Sequence, residues 1–189
     1  MWHDLLSMTP AGGWPLIAAD PPWKFKAGMN ARHAGSKYDL MSIEDIAAMP
    51  IRDIAAKDCW VILWATEPMR EHAHSILRAW GARYATSGVW VKRTKHGKLG
   101  FGTGFILRSS HEPFLIGKIG RPPILERNHR SVIEAPLGRH SEKPQVAYND
   151  FARRVAPDAP KLDLFSRQTR PGGWVAYGNQ RGELDAGKS

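Results

Sequence analysis

Apolar residues along this chain fall into short continuous runs, and stretches with helical spacing separate them. The run at residues 14–19 stops at Asp20-Pro21-Pro22 and reads as a buried strand ended by proline. Ser42, with Asp45 three positions on and Ile43, Ile46 and Ala47 between and after, resembles a capping box and predicts a short helix. Residues 59–65 form a second strand candidate. Thr66 then serves as an N-cap, Pro68 falls in the first turn, and Met69, Ala73, Ile76, Leu77 and Trp80 share a helical face that Gly81 ends. Residues 89–91, 114–116 and 131–133 read as further strands. A helix is predicted from about residue 144 to 155 with Val146, Phe151 and Val155 inward, and residues 161–165 and 174–177 close the pattern as strands. Strands alternating with helices predict an α/β fold, a mainly parallel sheet flanked by helices. Ligands of such sheets bind beyond the carboxyl ends of the strands, where the loop opening at Asp20 is expected.

Composition narrows the picture in three ways. A chain of 189 residues that is 42% hydrophobic suits one domain, with a core at about 14–180 and a tail at 181–189. Cys59 is the sole cysteine and lies in an apolar run, so it reads as a buried, inert thiol in a reducing, cytoplasmic setting. No run approaches the ~18 apolar residues of a membrane span, and the first ten residues lack a secretion signal. Charge adds a partner class. Lys and Arg number 27 against 18 Asp and Glu, a formal net charge of +9, which favours polyanions because neutralised phosphates release counterions. The basic residues cluster twice in loop-like stretches, at Lys92, Arg93, Lys95, His96, Lys98 and Arg108, and at Arg121, Arg127, His129, Arg130, Arg139 and His140.

Several familiar patterns lack the context their chemistry needs. Residues 182–189 match G-x-x-x-x-G-K-S, but that loop works only ahead of a helix, and none is expected after Ser189. The glycines at 100, 102 and 104 lack dinucleotide spacing and sit among basic residues, as a mobile substrate-side loop would. His72 and His74 fall on different sides of their helix, and His111-Glu112 is isolated, so no metal site is expected.

Asp20-Pro21-Pro22-Trp23 carries more. An exocyclic adenine nitrogen is a poor nucleophile because its lone pair is delocalised into the ring. The Asp20 carboxylate and the Pro21 carbonyl can accept its two hydrogens and aim that lone pair at an electrophilic methyl group. The prolines stiffen the acceptors' backbone, and Trp23 offers a face on which an extruded base can stack. A strand-ending turn with a core tryptophan accounts for the same four residues.

Further segments resemble, in order, the MT-A70 family of adenine-N6 methyltransferases. They are Tyr38 with Met41-Ser42 and an acidic helix start, Trp64 ending its strand, Trp90-Val91-Lys92, Glu112 before an apolar strand and Gly117, Lys143-Pro144 before a helix, the segment 162–167, Arg170 to Trp174, and Gly178-Asn179-Gln180. The resemblance covers residues 16–180. It implies a Rossmann-like methyltransferase fold, S-adenosyl-L-methionine as cofactor, and Asp20, Pro21, Pro22 and Trp23 as the catalytic motif. It assigns Lys143 to the cofactor's carboxylate, Arg167, Asn179 and Gln180 to its ribose and adenine, and Phe165, Arg170 and Asp20 to the same pocket. Tyr38, Lys92 and Glu112 fall on the target-base side. The implied partner is nucleic acid, DNA in preference to RNA, with a homo-oligomer or partner subunit as further expectations. An RNA adenine-N6 methyltransferase and a non-catalytic, nucleic-acid-binding partner subunit are the alternatives.

Overall fold

A computed structural model describes residues 2–24, 40–104, 106–139 and 142–185. Its elements are α1 (His3–Ser7), β1 (Trp14–Ala19), α2 (Ile43–Ala47), α3 (Ile51–Ile54), β2 (Ala55–Trp64), a 3-10 turn (Glu67–Met69), α4 (Arg70–Ala79), β3 (Arg83–Arg93), β4 (His111–Ile119), β5 (Val132–Pro136), α5 (Gln145–Ala152), β6 (Lys161–Leu164) and β7 (Trp174–Tyr177). The strands form one sheet in the order β5-β3-β4-β2-β1-β6-β7. Every pairing is parallel except those of β4, which runs against both β2 and β3. The fold is the expected Rossmann-like α/β arrangement.

Period-2 alternation splits the sheet into two apolar faces. Ile17, Ala19, Val61, Leu63 and Leu115 point to one side and pack with Ile46 of α2, Ile76 and Leu77 of α4, and Trp80 at the C-cap of α4. Leu16, Ala18, Ile62, Trp64, Phe114 and Ile116 point to the other and pack with Tyr148 and Phe151 of α5. Helices on both faces explain why β1 and β2 read as unbroken apolar runs. Gly117 has no side chain where α4 crosses β4, since a Cβ there would meet Leu77 and Ala82 at 3.1 Å.

The capping signals act largely as read. Ser42 accepts the Asp45 backbone N–H at 3.0 Å. Gly81, at φ 72°, ends α4 while Ala82 N–H returns to the Leu77 carbonyl at 2.8 Å. Three details differ. Thr66 makes no side-chain cap bond. Val146 is exposed, and Ala147, Tyr148 and Phe151 are the inward residues of α5. The stretch 182–185 is not a loose tail, because Leu184 is buried and its N–H donates to the Arg167 carbonyl at 2.8 Å.

The chain leaves β1 for β2 on one side and leaves β6 for β7 on the other. β1 and β6 are neighbours, with Ala19 opposite Leu164. That is a topological switch point, where the diverging connections open a crevice at the carboxyl edge. Asp20 and Phe165 are the first residues beyond the two strands.

Candidate active site

Asp20 leaves β1 with its N–H on the Leu164 carbonyl at 3.3 Å, so the motif starts pinned to β6. Its carboxylate accepts from Lys143 Nζ at 2.6 Å. Lys143 stands just before α5 and reaches Glu112 Oε1 of β4 at 3.0 Å, and Glu112 Oε2 meets Lys92 Nζ of β3 at 2.9 Å. A row of alternating charges thus crosses the carboxyl edge of four strands, and the Trp64 ring lies 5.5 Å from the Lys143 ammonium.

The charges in this row are not equally compensated. Burial pushes the Asp20 carboxyl up; attraction to Lys143 falls short of offsetting it, and repulsion from Glu112 adds to the rise. Burial acts on Glu112 in the same sense, but Lys143 and Lys92 together outweigh it and hold that carboxyl below its usual range. Lys143, flanked by two carboxylates, is held above the ordinary lysine value despite its burial and keeps its charge. Asp20 is therefore the ionisable group in the row closest to accepting a proton.

The crevice between β1 and β6 is lined by Asp20, Lys143, Phe165, Arg167, Gln168 and Leu184, among others. Phe165 has φ 63° and is the non-glycine residue in left-handed backbone among the described residues. Such strain collects at functional sites. It is accommodated here by Gly178 after β7, where a Cβ would stand 3.0 Å from the Phe165 Cα. Arg167 is tied to Glu183, its Nη2 donating at 3.1 Å. With Leu184 seated beside it, the cavity measures about 20 Å³, room for a water molecule.

The residue pattern 14–180 matches the MT-A70 family. This chain belongs to the MT-A70 family. It is 26% identical over 181 residues to the human N(6)-adenine-specific methyltransferase METTL4, covering 87% of this chain and 37% of that protein. It is 26% identical to the Type II methyltransferase M.MunI of a Mycoplasma species, over 98% of this chain and 89% of that one. It is 28% identical to the N(6)-adenosine-methyltransferase MT-A70-like protein of Arabidopsis thaliana, over 89% of this chain and 24% of the relative. The chain thus spans a little over a third of METTL4 and nearly all of M.MunI.

The residues singled out from the MT-A70 resemblance distribute unevenly. Asp20, Lys143, Phe165, Arg167 and Arg170 converge on one crevice, and Glu112 and Lys92 join it through Lys143. Asn179 and Gln180 follow β7 at the same edge but do not line the cavity. Arg170 is engaged inside the protein: its Nε donates to Asp163 Oδ2 at 2.8 Å and its guanidinium lies 3.4 Å from the centre of the Tyr148 ring. Pro21 carbonyl already accepts the Trp23 N–H at 2.9 Å, leaving one lone pair for a second donor. Trp23 is 5% exposed and belongs to the core under the motif, and its indole N–H is without a partner, so no stacking face is presented. Tyr38 and His140 lie outside the described residues, as do the last four positions of the G-x-x-x-x-G-K-S match.

Reading along the chain missed the support behind the crevice. Asp163 accepts from Tyr148 at 2.9 Å, Ser166 at 2.8 Å and Arg170, all buried. The signal was available, since an aspartate inside the apolar strand Leu162-Asp163-Leu164 must be paired. Among the described residues, no helix is long and apolar enough to cross a membrane.

Proposed function

We propose that this chain is an S-adenosylmethionine-dependent methyltransferase that modifies adenine N6 in DNA. The observation that carries the reading is the meeting of the Asp20 motif with a cationic, aromatic crevice at the switch point of the sheet. The donor set suits the cofactor: Lys143 for its carboxylate, Arg167 for ribose oxygens, and the strained Phe165 edge as a wall for its adenosine. Binding requires Glu183 and Leu184 to withdraw. When bound, S-adenosylmethionine supplies an electrophilic sulfonium methyl group.

The protein's own contribution is orientation and proton handling. Asp20 and the free lone pair of the Pro21 carbonyl accept the two amino hydrogens and turn the N6 lone pair outward. That pair forms the new carbon–nitrogen bond as the carbon–sulfur bond breaks. The nitrogen then carries a positive charge and sheds a proton to Asp20, whose raised pKa makes it the better acceptor. Lys143 holds Asp20 in place throughout.

DNA is favoured because the relative matched along nearly its whole length is a type II methyltransferase, whereas the relatives named for adenosine match over about a quarter of theirs. A cytoplasmic location fits a bacterial enzyme of that kind. Incubation with labelled S-adenosylmethionine and unmethylated DNA or RNA, then nucleoside mass spectrometry, tests the reading. N6-methyladenine in DNA supports it. Its appearance in RNA alone replaces the substrate. Cofactor binding without transfer to either polymer points to a missing partner subunit, and absence of cofactor binding to the non-catalytic subunit. Asp20→Ala should abolish transfer while retaining much of the cofactor affinity, and turnover in that variant removes Asp20 from the mechanism.

A further inference from the structure

We propose that the connection between β3 and β4 is a wedge that enters the DNA duplex beside the target adenine, with Ile106 and Leu107 as the inserted side chains; this rests on the reading of the chain as a DNA adenine methyltransferase. Ile106 is 95% exposed, Leu107 82% and Phe101 78%, whereas Phe114, Leu115 and Ile116 of the following strand β4 are buried. A single exposed leucine means little, but large apolar side chains collected on one projecting loop mark an interaction site.

The loop is built rather than slack. Gly100 N–H bonds the Lys92 carbonyl at 2.6 Å, and Gly102 N–H bonds the Ser109 carbonyl at 2.9 Å. Arg108 donates to the Gly104 carbonyl at 3.1 Å and lies 4.7 Å from the Phe101 ring centre. Side chains are excluded at 102 and 104, where a Cβ would run into the Ser109 and Leu107 carbonyl oxygens. The result is a narrow stalk with an apolar tip.

Its position and charge identify the occupant. β3 ends at Arg93 and β4 begins at His111, both at the carboxyl edge, and Glu112 one residue on touches Lys143, which touches Asp20. The loop leaves the same edge of the sheet as Asp20, with β2 between its strand β4 and β1. Arg108 is exposed beside the tip, Lys95, His96 and Lys98 are exposed on the tight turn at 94–98 that precedes the stalk, and no acidic residue occurs from 94 to 110. Apolar side chains flanked by cations complement a base stack flanked by phosphates. The second basic cluster is divided: Arg121 sits at the far edge of the sheet, its N–H bonded to Asp58, whereas Arg139 donates to the Leu184 carbonyl beside the crevice. In a duplex the adenine amino group is buried in a base pair, so the base must leave the stack to reach Asp20. Apolar wedges between base steps are one way to hold the gap.

The test is Ile106→Ser/Leu107→Ser in the full chain, with single-turnover methylation of one sequence as duplex, as duplex with the target opposite an abasic site, and as single strand. The expected result is a loss of tenfold or more on the paired duplex and twofold or less on the other two. Equal loss on all three, no loss on any, or a wild-type enzyme active only on single strands overturns the wedge. So does sedimentation that shows the variant turning from dimer to monomer with loss on every substrate, which makes the loop a protein interface. Permanganate oxidation of unstacked thymines in plasmid DNA separates this proposal from the functional reading, because it needs neither methyl transfer nor a known target sequence. Wild type that methylates nothing sinks the enzyme assignment. Enhanced thymine reactivity with wild type and not with the variant still supports the wedge, and its absence with wild type overturns it.

Discussion

Lys143→Met deletes the ammonium shared by Asp20 at 2.6 Å and Glu112 at 3.0 Å and nearly preserves side-chain volume. Lys143 is 6% exposed, Glu112 12% and Asp20 26%, so water replaces little of the lost interaction. Removing one partner of a buried ion pair costs about 3–5 kcal/mol. Glu112 keeps Lys92 at 2.9 Å, so the loss falls mainly on Asp20 and the lower end, about 3 kcal/mol, is expected. For a domain of this size each kcal/mol moves the melting temperature by about 2–4 °C, giving a drop of about 6–12 °C at neutral pH. The pH dependence has a definite sign. The Asp20 carboxyl, already raised by burial, rises further without Lys143, so the cost of its charge is present above that folded value and fades as pH falls through it. In the wild type Glu112 is lowered, so its contribution is present above the ordinary carboxylate range and is lost as pH falls through the depressed value. The gap between variant and wild type should therefore narrow on acidification. Calorimetric melting of both proteins across mildly acidic to neutral pH, repeated in an Asp20→Asn background where the gap should also shrink, is the assay. A variant melting within about 1 °C of wild type, or a gap indifferent to pH and to Asp20→Asn, refutes the view that Lys143 compensates buried carboxylates.

Three further outcomes are expected. Gly178→Ala places a Cβ against the Phe165 backbone and should weaken S-adenosylmethionine binding by roughly tenfold with a smaller effect on melting, measured by titration calorimetry. Arg170→Lys keeps the charge but loses the stack on Tyr148 and the bonds to Gln145 and Asp163, so urea unfolding should show a loss of about 1–3 kcal/mol. Burial pushes the Cys59 thiol up to about 12, so a thiol reagent should label it only on unfolding; prompt labelling of the native protein would contradict its burial.

The strands, the helix stops and the turn at Asp20-Pro21-Pro22 were legible along the chain because each rests on local chemistry. Asp-Pro-Pro ends β1 wherever the strand lies, Gly81 is the residue that tolerates φ 72°, and alternating strand and helix segments leave few architectures. The antiparallel course of β4 was not legible, since Phe114-Leu115-Ile116 reads the same in either direction; only a connection without a helix lets it fold back between β3 and β2. Residue type alone made Lys143, Arg167 and Arg170 equal candidates for a ligand. Burial separated them, because a buried cation must take the nearest carboxylates. Arg170 found Asp163 within the core, Lys143 found Asp20 and Glu112 at the crevice, and Arg167 found Glu183 at its mouth. Likewise two basic clusters were equal in the sequence, and the fold put Lys92 of one in the charge row that reaches Asp20 and Arg121 of the other at the opposite edge. Sequence determined which chemistry the chain carries, since that is a property of residue types and near neighbours. The tertiary structure decided which groups share it, since distance and dielectric are set by strands far apart in the chain.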